Sequence, residues 1–511
     1  MDYLIRFAQT HESFRRPEIE ALSRLADLEC EIMSYSEDSP FCVIRFQNIL
    51  PKTNPATSSG SDDAVDMTDS KVRDFISKSI LAKSIYEVWG QGQTYENVHK
   101  DVKRRSQHLW SKFQNVTFRF SIDTYGMTHD AADQKKMIDS FSYLDFKGKI
   151  RMKNPQAEFA LMEEWSLPSS LYTSNNAQSG PAANILVDTK PNQIFLGRKI
   201  GESRRWLREK HDLKKRPYIS TTSMDAELAL LTANMALATP GKIFLDPFVG
   251  TGGFMVAAAE LGAMTLGSDI DGRSFRGKGL GLDKGVGANF NRYGISHLFG
   301  DCITSDLTNT PFRSPRGSQQ PFGTRWLDGI ICDPPYGVRE GLKVLGTRKA
   351  SAFSPANPDG GGDQHEVSTS SPVPHMIDGV SAHTRPGYIA PKRPYSFNRM
   401  LDDILDFAAR TLVDRGRLAF WMPSANENES GEEESTLIPT HPQLELKHEC
   451  IQRFNKWSRR LLVYERLPGA LDTDVDVEAL RRGMEGMSGT ADELNPFRKR
   501  YFESFVGTNG T

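Results

Sequence analysis

The chain has 511 residues, with 63 Lys and Arg against 65 Asp and Glu. It is too long for one ordinary domain, and its balanced charge neither announces nor excludes a nucleic-acid partner, so local charge has to decide. Five scattered cysteines, Cys30, Cys42, Cys302, Cys332 and Cys450, exclude a disulfide framework and a readable zinc site. They fit a reducing, cytoplasmic compartment. No run is apolar for long enough to span a bilayer, and the N-terminus lacks a signal-peptide core.

Residues 1–50 predict a small α/β unit, "YLIRF" and "FCVIRF" flanking a helix in which Ile19, Leu22, Leu25 and Leu28 recur at helical spacing. Residues 51–70 are rich in Ser, Asp and Pro and read as a flexible insertion, with order resuming near Lys71. From 71 to 198 strands are expected at "NVTFRFSID" and "EFALMEEW", and as a pair at "NILVDT" and "QIFLGRK". "ISKSILAKSIYEVWG" fits either helix or strand.

The segment from Arg198 to Arg216 holds nine Lys and Arg against three acids, with Trp206 interleaved. Residues 199–216 form a basic linker in front of a catalytic-looking module. Arg198, Lys199, Arg204, Arg205, Lys214, Lys215 and Arg216 are therefore the candidate nucleic-acid contacts, against the plainer alternative of a solvated charged helix or linker.

Residues 217–466 alternate strand and helix in the manner of a parallel sheet. "KIFLDPF", "MTLGSDI", "SHLFGDC", "WLDGIICDPP", "RLAFWMP", "LELKHECIQRF" and "SRRLLVYER" make seven strands, the last two a hairpin. Polar insertions at about 350–386 and 424–435 cannot form a core, and the tail 467–511 is polar and mixed.

The chemistry concentrates at strand ends. "DPFVGTGGF" follows the first strand and opens a helix, where a doubly wound sheet binds its ligand. Gly250 and Gly252 permit close backbone approach. Met255 replaces the third glycine of a dinucleotide fingerprint, and Asp246 repels a pyrophosphate but suits a cationic aminoacyl group. The loop thus favours S-adenosylmethionine over NAD.

Asp269 ends the second strand, where a carboxylate can take both ribose hydroxyls, and Asp301 is read as ending the third, near the adenine amino group. After the fourth strand comes Asp333-Pro334-Pro335-Tyr336. Pro335 restricts Pro334 to an extended conformation, so the Asp333 carboxylate and the Pro334 carbonyl form a fixed pair of acceptors for an exocyclic amino group. Tyr336 offers a stacking face. These residues do not say which amino base is used.

"DPFVGTGG" with "DPPYG" resembles the S-adenosylmethionine-dependent methyltransferases that act on exocyclic nitrogens of nucleobases. Adding "LKKRPYISTTSMDAELALLTANMA" and "GSDIDGR", the chain resembles the eukaryotic tRNA guanosine-10 N2-methyltransferase catalytic subunits. The resemblance implies a THUMP RNA-binding domain over 71–198 and a Rossmann-like methyltransferase domain over 217–466. It also implies Asp246, Phe248, Gly250 and Gly252 as the cofactor loop, Asp269 at the ribose, Asp301 and Cys302 at the adenine, Thr222 and Ser223 at the methionine end, and Asp333, Pro334 and Tyr336 as the catalytic motif. Its implied partners are tRNA and a small zinc-binding activator subunit, for which "GRLAFWMP" and "RLLVYER" offer candidate exposed edges. An adenine-N6 DNA methyltransferase and a catalytically silent RNA-binding scaffold are the alternatives. The transfer itself requires no metal.

Overall fold

A computed structural model of the chain describes residues 1–47, 49, 61–166, 190–308, 310–312, 325–338, 342–345, 376–381, 385, 391–425, 438–455 and 457–469. In the front half, β1 Asp2–Phe7, β2 Cys30–Tyr35, β3 Phe41–Phe46, β4 Ala82–Gly92, β5 Phe118–Tyr125, β6 Ala157–Glu164 and β7 Gln193–Glu202 form one sheet. Its order is β2-β3-β1-β4-β7-β6-β5, antiparallel apart from the pair β5 and β6.

The ambiguous stretch before β4 divides into both readings. A helix Ser61–Ser77 ends within it and β4 begins at Ala82. The helix therefore covers 61–70, which corrects the flexible insertion expected there. Val72, Phe75 and Ile76 bury at helical spacing, and Asp69 is held by Arg198. Residues 51–60 and the expected strand "NILVDT" lie outside the described residues.

The back half carries β8 Ile243–Asp246, β9 Met264–Asp269, β10 Phe299–Thr304 and β11 Leu327–Cys332. Short strands β12 Lys343–Leu345 and β15 Lys392–Pro394 pair with each other, as do β13 Met376–Ile377 and β14 Val380–Ser381. The second pair lies inside the insertion at about 350–386 that was expected to form no core. Then come β16 Leu412–Ala425, β17 Leu444–Arg453 and β18 Trp457–Arg466. Ser424 and Ala425 thus belong to a strand rather than to an insertion.

The large sheet runs β10-β9-β8-β11-β16-β18-β17, parallel through β16 and antiparallel at β18 and β17. Counted within this sheet the order is 3-2-1-4-5-7-6, a Rossmann-like arrangement whose direction of winding reverses between β8 and β11. That is where such sheets bind ligands. Strands β16 and β18 are interior, so the edges expected at "GRLAFWMP" and "RLLVYER" are wrong. The edges are β10 and β17. An apolar run shows that a strand has cover but not whether a neighbouring strand of the sheet or another chain supplies it.

Alternation assigns the two faces. Leu245, Ile330, Leu418, Phe420 and Leu462 pack on the helix Phe397–Thr411, whereas Phe244, Ile331, Ala419, Trp421 and Leu461 pack on Ala226–Met235. The second layer continues without a break into the front half. From the helix Glu12–Leu25, Phe14 stacks on Trp421 with ring centres 5.8 Å apart. Ser13 Oγ donates to the Ile451 carbonyl at 3.0 Å and accepts from its N–H at 3.1 Å, and Arg24 pairs with Glu465. Glu18, wholly buried, accepts from Ser79, Ile80, Leu81 and the Asn234 side chain, and burial pushes its pKa up.

Candidate active site

At the carboxyl end of β8, Asp246 is 3% exposed, its carboxylate accepting the Phe248 N–H at 3.0 Å. Burial raises its pKa well above the ordinary value, and among the described residues it makes no ion pair. Gly250 and Gly252 take the left-handed conformation, with φ of +47° and +77°. A Cβ on Gly252 would lie 2.7 Å from Val286, while the space over Gly250 is open to 3.9 Å. The loop is a cradle that only glycine permits.

Asp269 ends β9. One carboxylate oxygen accepts the Gly250 N–H at 3.0 Å and the other the Asp271 N–H at 2.8 Å, so it locks the cradle, and burial raises its pKa. Ser223 joins the same loop, its hydroxyl 2.8 Å from that of Thr251, and Thr222 stands exposed beside it, 3.1 Å from Ser220 Oγ.

The third acid is not where the sequence reading put it. Asp301 pairs with Leu266, whereas Thr304 is the residue level with Asp269. Asp301 therefore sits about 10 Å back along the strand, at roughly 3.3 Å per residue. It is exposed and accepts the N–H of Cys302 at 2.6 Å. Cys302 packs beneath the loop, its sulfur 3.8 Å from that of Met255, and burial pushes its thiol pKa up. The acid beyond the strand's end is Asp306, 9% exposed, which accepts from Thr308 and from the Leu345 N–H. The signal was present in "SDLT" but was masked by "FGDC", whose Asp301 lies five residues before Asp306.

Asp333 follows β11 directly. Tyr336 OH donates to its Oδ1 at 2.5 Å, a contact the sequence reading missed by treating Tyr336 as a ring alone. Arg459 Nη1 stands 3.9 Å from Oδ2. Burial raises the Asp333 pKa to about 6 against the opposing pull of Tyr336 and Arg459. Pro334 is buried. Trp457 stands edge-on to Tyr336 at 6.1 Å and stacks on Phe454 at 4.5 Å, so the β17–β18 hairpin supplies an aromatic wall.

The basic segment is largely used inside the protein. Arg198 is 7% exposed and held by Asp69 and Glu87; Lys199 pairs with Glu202 and Glu158. Arg204 donates to Lys78 O and to Asn234, and Arg205 to Ile80 O and Glu227, so both tie the front half to the back. Arg216 is 5% exposed. Arg198, Lys199, Arg204 and Arg205 are corrected from RNA contacts to internal staples, and Arg216 is corrected to a buried cation whose Nε and Nη1 make no hydrogen bond among the described residues. Lys214 and Lys215 remain exposed, as does Trp206 at 60%. The acids within the segment do not reveal this, because the carboxylates that hold Arg198 and Arg205 are Asp69, Glu87 and Glu227, which lie outside it in the sequence.

Family models match twice: a Tmrp11 THUMP N-terminal domain over residues 1–53 and 64–205, and an RMKL-like methyltransferase domain over 214–283. The tRNA (guanine(10)-N(2))-methyltransferase of Saccharomyces cerevisiae is 38% identical over 98% of this chain and 99% of its own length. The protein of the same name from Schizosaccharomyces pombe is 33% identical over 98% and 96%. The Homo sapiens tRNA (guanine(10)-N(2))-methyltransferase TRMT11 is 30% identical over 98% and 95%.

Proposed function

The chain belongs to the tRNA (guanine(10)-N(2))-methyltransferase family and methylates N2 of guanosine in tRNA, and we propose that it acts at position 10 with S-adenosylmethionine as donor and Asp333 as the catalytic residue. One observation carries the assignment of residues: the Asp333-Pro334-Pro335-Tyr336 corner stands at the carboxyl end of β11, next to the glycine cradle at the end of β8. Neither a DNA adenine methyltransferase nor a silent scaffold is favoured by relatives of this kind.

The residues present fit the donor. The cradle over Gly250 is open, and Asp246 is a buried acid that lacks a cation and would face the donor's ammonium group. Ser223 and Thr222 would hold its methionine end, Phe248 would line the loop, and Asp269 would take the ribose. Asp306 takes the role first given to Asp301. S-adenosylmethionine, when bound, supplies a methyl group on a positively charged sulfur.

The guanine N2 lone pair is delocalised into the ring, so the amino group has to be turned before it can react. Asp333 and the Pro334 carbonyl accept its two N–H bonds and fix that orientation, while Tyr336 and the aromatic wall exclude water and stack against the base. After methylation N2 would have to lose one proton, and the Asp333 carboxylate that holds its N–H would be placed to take it.

For tRNA phosphates we assign the cleft of about 970 Å³ in the front half, where Arg73, Lys112 and Lys153 stand beside Arg119, Arg198 and Lys199, the last three already paired with Glu158, Asp69 and Glu202, together with Lys214 and Lys215. For the zinc-binding activator subunit we assign the open edge β10, where Ile303 is 37% exposed. Ile303→Lys should then abolish its co-purification. Five free cysteines support a cytoplasmic location; among the described residues no helix is long and apolar enough to cross a membrane. The deciding experiment is nucleoside analysis of tRNA from cells lacking this protein. Loss of N2-methylguanosine at position 10 is expected, and its full retention would overturn the assignment.

A further inference from the structure

We propose that Arg459 is a positioning residue for methyl transfer, which keeps the Asp333 carboxylate ionised and turned toward the amino group it accepts from. The inference rests on the role given to Asp333 above and adds the last hairpin to the catalytic machinery.

Arg459 is held on every side. Its guanidinium lies over the Trp421 ring at 4.7 Å and over Phe454 at 5.6 Å, and its Nε donates to Gln452 at 2.6 Å. Only 15% of the side chain is exposed. From that fixed seat Nη1 reaches to 3.9 Å from Asp333 Oδ2, while Tyr336 OH occupies one lone pair of Oδ1. The spacing matters. A bidentate fork at about 2.8 Å would tie up the carboxylate, whereas a cation one ångström further off biases its charge and leaves its lone pairs open to a substrate.

The need for a cation is local. The groups that face Asp333 are Asp246 from β8, Arg459 from β18, and its own neighbours Cys332 and Tyr336. Without Arg459 the described residues of the recess include two acids and no cation, and Asp333 would take up a proton more readily. A protonated carboxyl group offers a donor where the guanine amino group needs an acceptor, and it cannot receive the proton that N2 sheds.

The rival account is that Arg459 only packs the hairpin. Single-turnover methyl transfer to tRNA, followed against pH with the full chain co-purified with its activator subunit, separates the two. Arg459→Gln should move the acidic limb of the profile upward by about one to three pH units, the size of an Arg–carboxylate effect. Activity should fall at neutral pH and recover in alkaline buffer, with binding of S-adenosylhomocysteine unchanged. Arg459→Lys loses the planar stacking but keeps the charge, so its limb should stay near that of the wild type. A uniform loss at every pH in both variants, or an unmoved limb in Arg459→Gln, overturns the proposal. Wild-type protein that transfers nothing to tRNA overturns the function itself, and this control is read first.

Discussion

Arg198→Gln distinguishes an internal staple from an RNA contact. Arg198 donates from Nη1 and Nη2 to Asp69 at 2.8 and 2.9 Å and from Nε to Glu87 at 2.8 Å, and all three side chains are about nine-tenths buried. The substitution leaves two acids facing each other in an interior with no counter-charge. Removing one partner of such a buried group typically costs about 3–5 kcal/mol. In a unit of about 200 residues each kcal/mol lowers the unfolding temperature by about 2–4 °C, so a drop of about 6–20 °C is expected. Thermal unfolding followed by circular dichroism measures it. Lys214→Gln is the exposed control: it should unfold like the wild type while lowering the salt dependence of tRNA binding by about 0.7–0.9 per charge removed. An Arg198→Gln protein with unchanged unfolding temperature and a reduced salt slope would refute the reasoning and return the segment to the RNA.

Asp333→Ala should cut single-turnover transfer on the order of 100-fold to 1000-fold with tRNA and donor binding intact, and near wild-type transfer would reduce the corner to a structural turn. Asp306→Ala should weaken S-adenosylhomocysteine binding in a calorimetric titration while Asp301→Ala leaves it unchanged; the opposite result would put the adenine back at Asp301. Gly252→Ala forces a Cβ to 2.7 Å from Val286 at a φ of +77°. It should cost more than 1 kcal/mol of stability and weaken donor binding, so an unaffected variant would mean that the loop is not the tight cradle described.

The fold class and the corner at Asp333 were legible because their signals are local: a strand, a glycine turn and a proline-stiffened acceptor pair are each written in a dozen contiguous residues. What was not legible depended on partners remote in the chain. Asp301 and Asp306 are both plausible strand-end acids until the register against β9 shows which one clears the edge. Arg198 reads as free positive charge until Asp69 and Glu87, more than a hundred residues earlier, are found around it. Arg459 carries no motif at all, and only the pairing of β16 with β18 brings the last hairpin against the Asp333 corner. The interior strands β16 and β18 were taken for edges because hydropathy reports burial but not strand order.

The seam between the helix Glu12–Leu25 and the last hairpin has a consequence for how the protein is made. Phe14 stacks on Trp421 and Ser13 bonds to Ile451, so the partners of a helix translated early emerge from the ribosome more than four hundred residues later. Translation at about 5–20 residues per second leaves that helix without its final neighbours for tens of seconds. Phe14 is wholly covered in the finished protein and has no complete cover during that interval. Synthesis halted before β18 therefore yields a chain with its first apolar surface uncapped, a substrate for chaperones and proteases rather than a half-working enzyme.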